Sequence, residues 1–245
     1  MSAALVLDHV TKRFGGLVAV HDVAVEIAAG QITGLIGPNG AGKTTLFRMI
    51  SGGTRPSAGR VLFQGREITG WSPHAVCRGG LCGTYQLVRP FPDLTVLENV
   101  TVGAAFGGSG RLGGRTPRAE AEEVLEFTGL AARRDVPASA LTLAQRKRLE
   151  VARALATRPS VLLLDEVLAG LTPAESQQAV ALVRRIRDRG VTIVMIEHVM
   201  RAVMDLSDRV LVLNYGRLIA DGPPAVVTSD PQVIEAYLGP RLEDP

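Results

Sequence analysis

The sequence predicts an α/β fold: a mostly parallel sheet flanked by helices, with an antiparallel strand portion and an inserted helical subdomain. Three observations predict it. Short apolar runs alternate with amphipathic segments toward both ends of the chain, the pattern of strands followed by helices that pack on a sheet. Residues 31–51 read as strand, glycine-rich loop and helix in immediate succession. Between residues 87 and 158 the apolar spacing turns helical. At 245 residues, 46% of them apolar, the chain is long enough to bury one large core or a core with a subdomain.

Taken in order, residues 5–10 alternate apolar and polar and predict a strand. Residues 18–27, with Val20, Val23, Val25 and Ile27 apolar, predict a second, and Ala29-Gly30 turn it into a third over residues 31–36. Lys12, Arg13, Phe14, Gly15 and Gly16 form a loop between the first two. The helix expected over residues 44–51 offers Leu46, Phe47, Met49 and Ile50 to the sheet. A strand over residues 59–63 ends at Gly65, and a short helix over residues 73–77 has Ser72 as cap and Pro73 at its first position. Helices follow over residues 96–102, 119–128 and 143–157. The glycine- and arginine-rich run 107–118 interrupts them, cannot bury a face, and reads as a mobile loop. Strand signals resume at residues 161–164; then come a helix over 173–189 between Thr172 and Gly190, a buried strand over 191–196, and a helix over 199–206. Strands 209–213 and 217–220 flank the hairpin signal Asn214-Tyr215-Gly216. The expected division is a core of residues 1–86 and 159–222 that carries the glycine-rich loop, a helical subdomain of residues 87–158, and a helical tail of residues 223–245.

The glycine-rich loop is Gly37-Pro38-Asn39-Gly40-Ala41-Gly42-Lys43-Thr44, which fills every fixed position of the phosphate-binding pattern. Glycines let the backbone turn tightly with its N–H groups inward, and the helix start adds partial positive charge, so a polyphosphate is held mostly by main chain. Lys43 then reaches the β and γ phosphates, and the Thr44 hydroxyl ligates Mg2+. The apolar run Val161-Leu162-Leu163-Leu164 ends in Asp165-Glu166, two carboxylates at the mouth of a buried strand. Asp165 would orient Mg2+ through its water shell and Glu166 would polarise the attacking water; acids there can also simply cap the next helix. In a sheet of this kind ligands collect at the carboxyl ends of strands, where Gly37 and Asp165 both fall. His198 follows a strand and is placed to hold the lytic water, although a lone His is more often structural. Gln86 stands where sheet gives way to helical insert, a candidate contact to Mg2+ or water. Phe14 either stacks on an adenine ring or caps the core.

Composition narrows the classes. No apolar run approaches the ~20 residues of a membrane span, and the start of the chain lacks the basic and apolar stretches of a signal peptide. A soluble, cytoplasmic protein is expected. Cys77 and Cys82 have no zinc-ligand spacing around them and read as reduced, structural thiols. The net charge of +3 and 4% aromatic content give no basic stripe with interleaved aromatics, so nucleic-acid binding is not expected.

With these segments in place, the chain resembles the ATP-binding subunit of an ABC transporter over nearly its whole length. The order carries the likeness: Phe14 at the adenine-stacking loop, residues 37–44 as Walker A, Gln86, a signature-like segment at Leu141, the Walker B strand with Glu166, and His198. Within that family it is most similar to the ATPase subunits of branched-chain amino acid importers, through Thr84-Tyr85-Gln86 and the residues as far as Val100, Leu168-Ala169-Gly170-Leu171, and residues 230–239. The resemblance implies ATP and Mg2+ as cofactors, Thr45, Thr142 and Gln145 among the nucleotide contacts, and a dimer with two ATPs sandwiched between Walker A of one subunit and the signature of the other. It also implies transmembrane permease subunits, a solute-binding protein in the full system, and a place on the inner face of the cell membrane. Where the family signature reads Leu-Ser-Gly-Gly-Gln, this chain has Leu141-Thr142-Leu143-Ala144-Gln145. Losing both glycines hinders close backbone approach to a phosphate, and the expectation is a different ATPase subunit as partner, with two unequal ATP sites. An exporter ATPase of the lipopolysaccharide type and a non-transport relative are the competing readings.

Overall fold

The computed structural model describes residues 3–84, 90–107 and 114–238. In chain order the elements are β1 (Ala3–Phe14), β2 (Leu17–Ala28), β3 (Ile32–Ile36), α1 (Lys43–Ile50), β4 (Ala58–Phe63), β5 (Arg66–Glu67), α2 (Pro73–Gly79) and β6 (Leu81–Gly83). Helices α3 (Val96–Phe106), α4 (Pro117–Thr128) and α5 (Leu143–Leu155) follow, then β7 (Val161–Asp165), α6 (Pro173–Asp188), β8 (Thr192–Ile196) and α7 (Met200–Leu206). Strands β9 (Arg209–Asn214) and β10 (Arg217–Gly222) and helices α8 (Pro224–Val227) and α9 (Pro231–Leu238) complete the described chain. It packs as two compact units, residues 1–72 with 192–245, and residues 73–191.

The first unit holds an antiparallel sheet in the order β2-β1-β4-β5, and strands in the order β10-β9-β3-β8, with β3 parallel to both β8 and β9. Every residue of β3 and β8 is buried, which is why neither alternates apolar with charged residues. Strand β1 runs past the expected residues 5–10 because β2 pairs with it as far as Phe14 opposite Leu17. Lys12, Arg13 and Phe14 are therefore strand, and only Gly15-Gly16 turn. At the β9–β10 hairpin Tyr215 and Gly216 both take left-handed φ, 45° and 77°, as a two-residue turn between right-twisted strands requires.

In the second unit β6 and β7 pair in parallel, Leu81 opposite Val161 through Gly83 opposite Leu163. Helices α3, α4 and α5 share a core that includes Val100, Leu125 and Leu149. Helix α4 begins earlier than expected: Thr116 caps the Ala119 amide at 3.2 Å and Pro117 sits in the first turn, so Pro117 and Arg118 belong to a helix rather than to a mobile loop. Residues 108–113 of that run lie outside the described residues. Strands β5 and β6 carry too few residues to show a period of their own; pairing with a neighbour defines them. Among the described residues no helix is long and apolar enough to cross a membrane.

Candidate nucleotide site

The phosphate loop joins β3 to α1 in the first unit. Its shape leaves no room for side chains at two positions. A Cβ on Gly37 would stand 2.0 Å from the Leu213 carbonyl oxygen, and one on Gly42 would stand 2.4 Å from that of Ala19; both glycines also have φ in the left-handed half, 145° and 103°. The loop is gripped between β2 and the β9–β10 hairpin. Gly216 donates its N–H to the Ala41 carbonyl at 2.9 Å and accepts the His21 N–H at 2.8 Å. Helix α1 starts at Gly42 without a side-chain cap and without an acid in its first turn, so its leading amides and the positive end of its dipole serve an anion. The Lys43 ammonium is buried in this cradle and donates to the carbonyls of Gly37 at 2.6 Å and Pro38 at 2.9 Å. Asn39, Gly40 and Thr44 are exposed, while Pro38 and Thr45 are half-buried and Ala41 is buried. The cradle thus fits a polyphosphate, and a neutral or cationic ligand would leave the amides unmatched.

The acid pair belongs to the second unit. Asp165 ends β7, 8% exposed, and its N–H donates to the Thr84 hydroxyl at 3.1 Å. The Thr84 N–H in turn donates to the Leu163 carbonyl at 2.9 Å, which extends the β6–β7 pairing past its last strand residue and fixes the tip of β7. Glu166 is half-buried and has φ 50°, a left-handed backbone that turns the chain sharply out of the strand. Its carbonyl accepts the Ala169 N–H at 3.3 Å and the Lys147 ammonium at 2.5 Å. These acids do not cap α6. That helix has its own capping box, in which the Thr172 hydroxyl accepts the Glu175 N–H and the Glu175 carboxylate accepts from Thr172, and this donation holds the Glu175 carboxyl below the usual range.

The signature-like segment forms the head of α5. Thr142 and Gln145 bond each other: the Thr142 hydroxyl accepts the Gln145 N–H at 3.3 Å, and the Gln145 side-chain oxygen accepts the Thr142 N–H at 3.1 Å. Leu143 is 41% exposed, and its Cδ2 lies 3.2 Å from where a Cβ on Gly170 would stand. Both replacements for glycine are thus accommodated within the chain by an ordinary helix start.

Phe14 is 50% exposed, with the Lys12 ammonium 4.9 Å from its ring centre; it is a surface ring, not a core cap. His198 is exposed in the turn after β8. Gln86, with Tyr85, lies outside the described residues. Cys77 and Cys82 are not disulfide-bonded, their sulfurs 3.6 Å apart. Among the described residues no group of three or more His, Cys, Asp or Glu gathers as a metal site, so an ion there would rely on hydroxyl, water and phosphate oxygens as well as carboxylate. Three contributors escaped the sequence reading: Thr84, Lys147, and Tyr237 of α9, whose hydroxyl is raised above its ordinary pKa by burial and receives the Gly37 amide. Only the Tyr237 position carried a signal, as an aromatic in an otherwise short amphipathic tail.

Comparison with known proteins places these features in context. Residues 20–169 match the family model described as ABC transporter, and residues 217–239 match one described as branched-chain amino acid ATP-binding cassette transporter. The high-affinity branched-chain amino acid transport ATP-binding protein BraF of Pseudomonas aeruginosa is 40% identical, over 96% of this chain and 97% of that protein. The lipopolysaccharide export system ATP-binding protein LptB of Acidithiobacillus ferridurans is 34% identical, over 99% of this chain and all of that one. A crystal structure of a nucleotide-free ATP-binding cassette from an ABC transporter superposes with a TM-score of 0.88 at 31% identity, covering 98% of this chain and 100% of the other.

Proposed function

The chain belongs to the ABC transporter ATPase family, and from that premise we propose that it is the ATP-hydrolysing subunit of an importer for branched-chain or related amino acids. Members of the family bind and hydrolyse ATP, and the observation that carries the reading to this chain is the uncapped start of α1 behind a loop whose glycines admit no side chain. The match of residues 217–239 to the branched-chain cassette model, beside the higher identity to BraF than to LptB, favours amino acid import over lipopolysaccharide export.

In this reading the amides of residues 39–44 hold the polyphosphate, Lys43 neutralises its terminal charge, and Phe14 stacks on the adenine. Thr44, Asp165 and Gln86 would hold Mg2+, which would supply charge neutralisation at the phosphate. Glu166 polarises the water and His198 holds it in line. The nucleotide core comprises residues 1–86 and 159–222, the helical subdomain residues 87–158 and the tail residues 223–245. The chain works as a dimer with permease subunits at the inner face of the membrane, alongside a solute-binding protein. Its partner ATPase is a different chain, since Leu143 and Ala144 make this signature the weaker of two; Thr142 and Gln145 face the partner's nucleotide.

Glu166→Gln should retain MgATP yet lower turnover by about 10²–10³-fold, and Lys43→Ala should weaken MgATP binding by about tenfold to hundredfold, the loss of a charged hydrogen-bonding group. Steady-state phosphate release and nucleotide binding measure both. Parental turnover in Glu166→Gln would reject the assignment, and stimulation by lipopolysaccharide rather than by a branched-chain amino acid with its binding protein would move the chain to the export branch.

A further inference from the structure

Three lysines occur in this arginine-rich chain, and one of them, Lys147, stands in α5 two residues beyond Gln145. Its Nζ donates to the Glu166 carbonyl at 2.5 Å. Glu166 has φ 50°, a region that a residue with a Cβ enters only against steric strain. Such a conformation persists only where neighbours over-determine it. Here the neighbours are the Ala169 amide at 3.3 Å and the Lys147 ammonium, both on the same oxygen. Lys147 lines a small cleft together with Ala144, Val151, Val167 and Leu171. A compact ammonium suits a single carbonyl oxygen, whereas a guanidinium is built for a planar, two-pronged acceptor.

We propose that Lys147 is a positioning residue: it pins the main chain of Glu166 in its left-handed conformation and thereby ties the signature-like segment to the acid strand of the same chain. The proposal rests on Glu166 as the group that polarises water. The head of α5 is fixed by the Thr142–Gln145 box, and Lys147 is about one helical turn further on. Any movement imposed on that head by a nucleotide held on the partner subunit is passed to the Glu166 carbonyl. The link is internal to one chain, yet in the dimer it runs from one nucleotide site to the other.

The test is MgATP hydrolysis by the full chain, purified with the membrane subunits that accompany it. Lys147→Met should lower kcat by about tenfold to hundredfold, with KM for MgATP within about twofold of parental, because the contact positions the group that polarises water and makes no ground-state contact to MgATP. Lys147→Arg keeps the charge but not the compact single-point donor, so its kcat should fall between that of Lys147→Met and parental. In the Glu166→Gln background, Lys147→Met should change residual turnover by less than about twofold, since coupled groups are non-additive. A Lys147→Met kcat equal to parental, with Glu166→Gln arrested, overturns the proposal alone; an active Glu166→Gln overturns the reading beneath it. Should Lys147→Met fail to fold, Lys147→Gln is judged by the same thresholds, and loss of fold in both overturns the proposal in favour of a structural brace.

Discussion

The phosphate loop and the signature-like segment are both helix starts assigned to phosphate recognition, yet they meet the task in opposite ways. At Gly37 and Gly42 the surrounding backbone stands within 2.0 and 2.4 Å of any added Cβ, so function is written in main chain and no other residue type fits. At residues 141–145 the helix start is filled by side chains: Thr142 and Gln145 satisfy the first amides reciprocally, and Leu143 stands 41% exposed. The first helix leaves its amides for a ligand, while the second consumes part of its capacity internally. A helix start without glycines is thus self-capped, with less of its amide capacity left for a ligand.

The sharpest way to break the contrast is Gly37→Ala. The methyl must displace the Leu213 carbonyl, and we expect a destabilisation of about 3 kcal/mol or more together with loss of MgATP binding, read by thermal denaturation and nucleotide titration. Next in size, Leu143→Gly with Ala144→Gly should raise ATP turnover of the assembled transporter several-fold if these side chains hold the phosphate away. It should also cost about 1 kcal/mol of helix stability per glycine. Unchanged turnover and unchanged coupling would mean that the segment performs as well without its glycines. The smallest effect is expected from Thr142→Ala. Loss of the cap should remove about 1 kcal/mol and lower Tm by about 2–4 °C, and turnover should fall further than that stability loss explains if the hydroxyl also meets a phosphate.

Much of this was legible before any coordinates. The strand, loop and helix at residues 31–51, the helix that starts after Thr172, and the hairpin at Asn214-Tyr215-Gly216 appear where the sequence places them, because each is decided by residues only a few positions apart. The short strands β5 and β6 were not legible, since two or three residues carry no period. The start of α4 was hidden in a run whose composition reads as loop, although Thr116 and Pro117 carry a helix-start signal that outweighs its glycines.

What the sequence by itself determined is the local chemistry: a loop of glycines before a helix, acids after an apolar run, and hydroxyls at helix starts, all set by hydrogen bonds and backbone preferences of short reach. Only the tertiary structure decided why those glycines are obligatory and how Glu166 is held. Leu213 and Ala19 reach the loop, Thr84 reaches Asp165, and Lys147 reaches the Glu166 carbonyl from 19 residues away in the chain. Such partners are set by where strands and helices come to rest on one another, and no pattern of neighbouring residues encodes that distance.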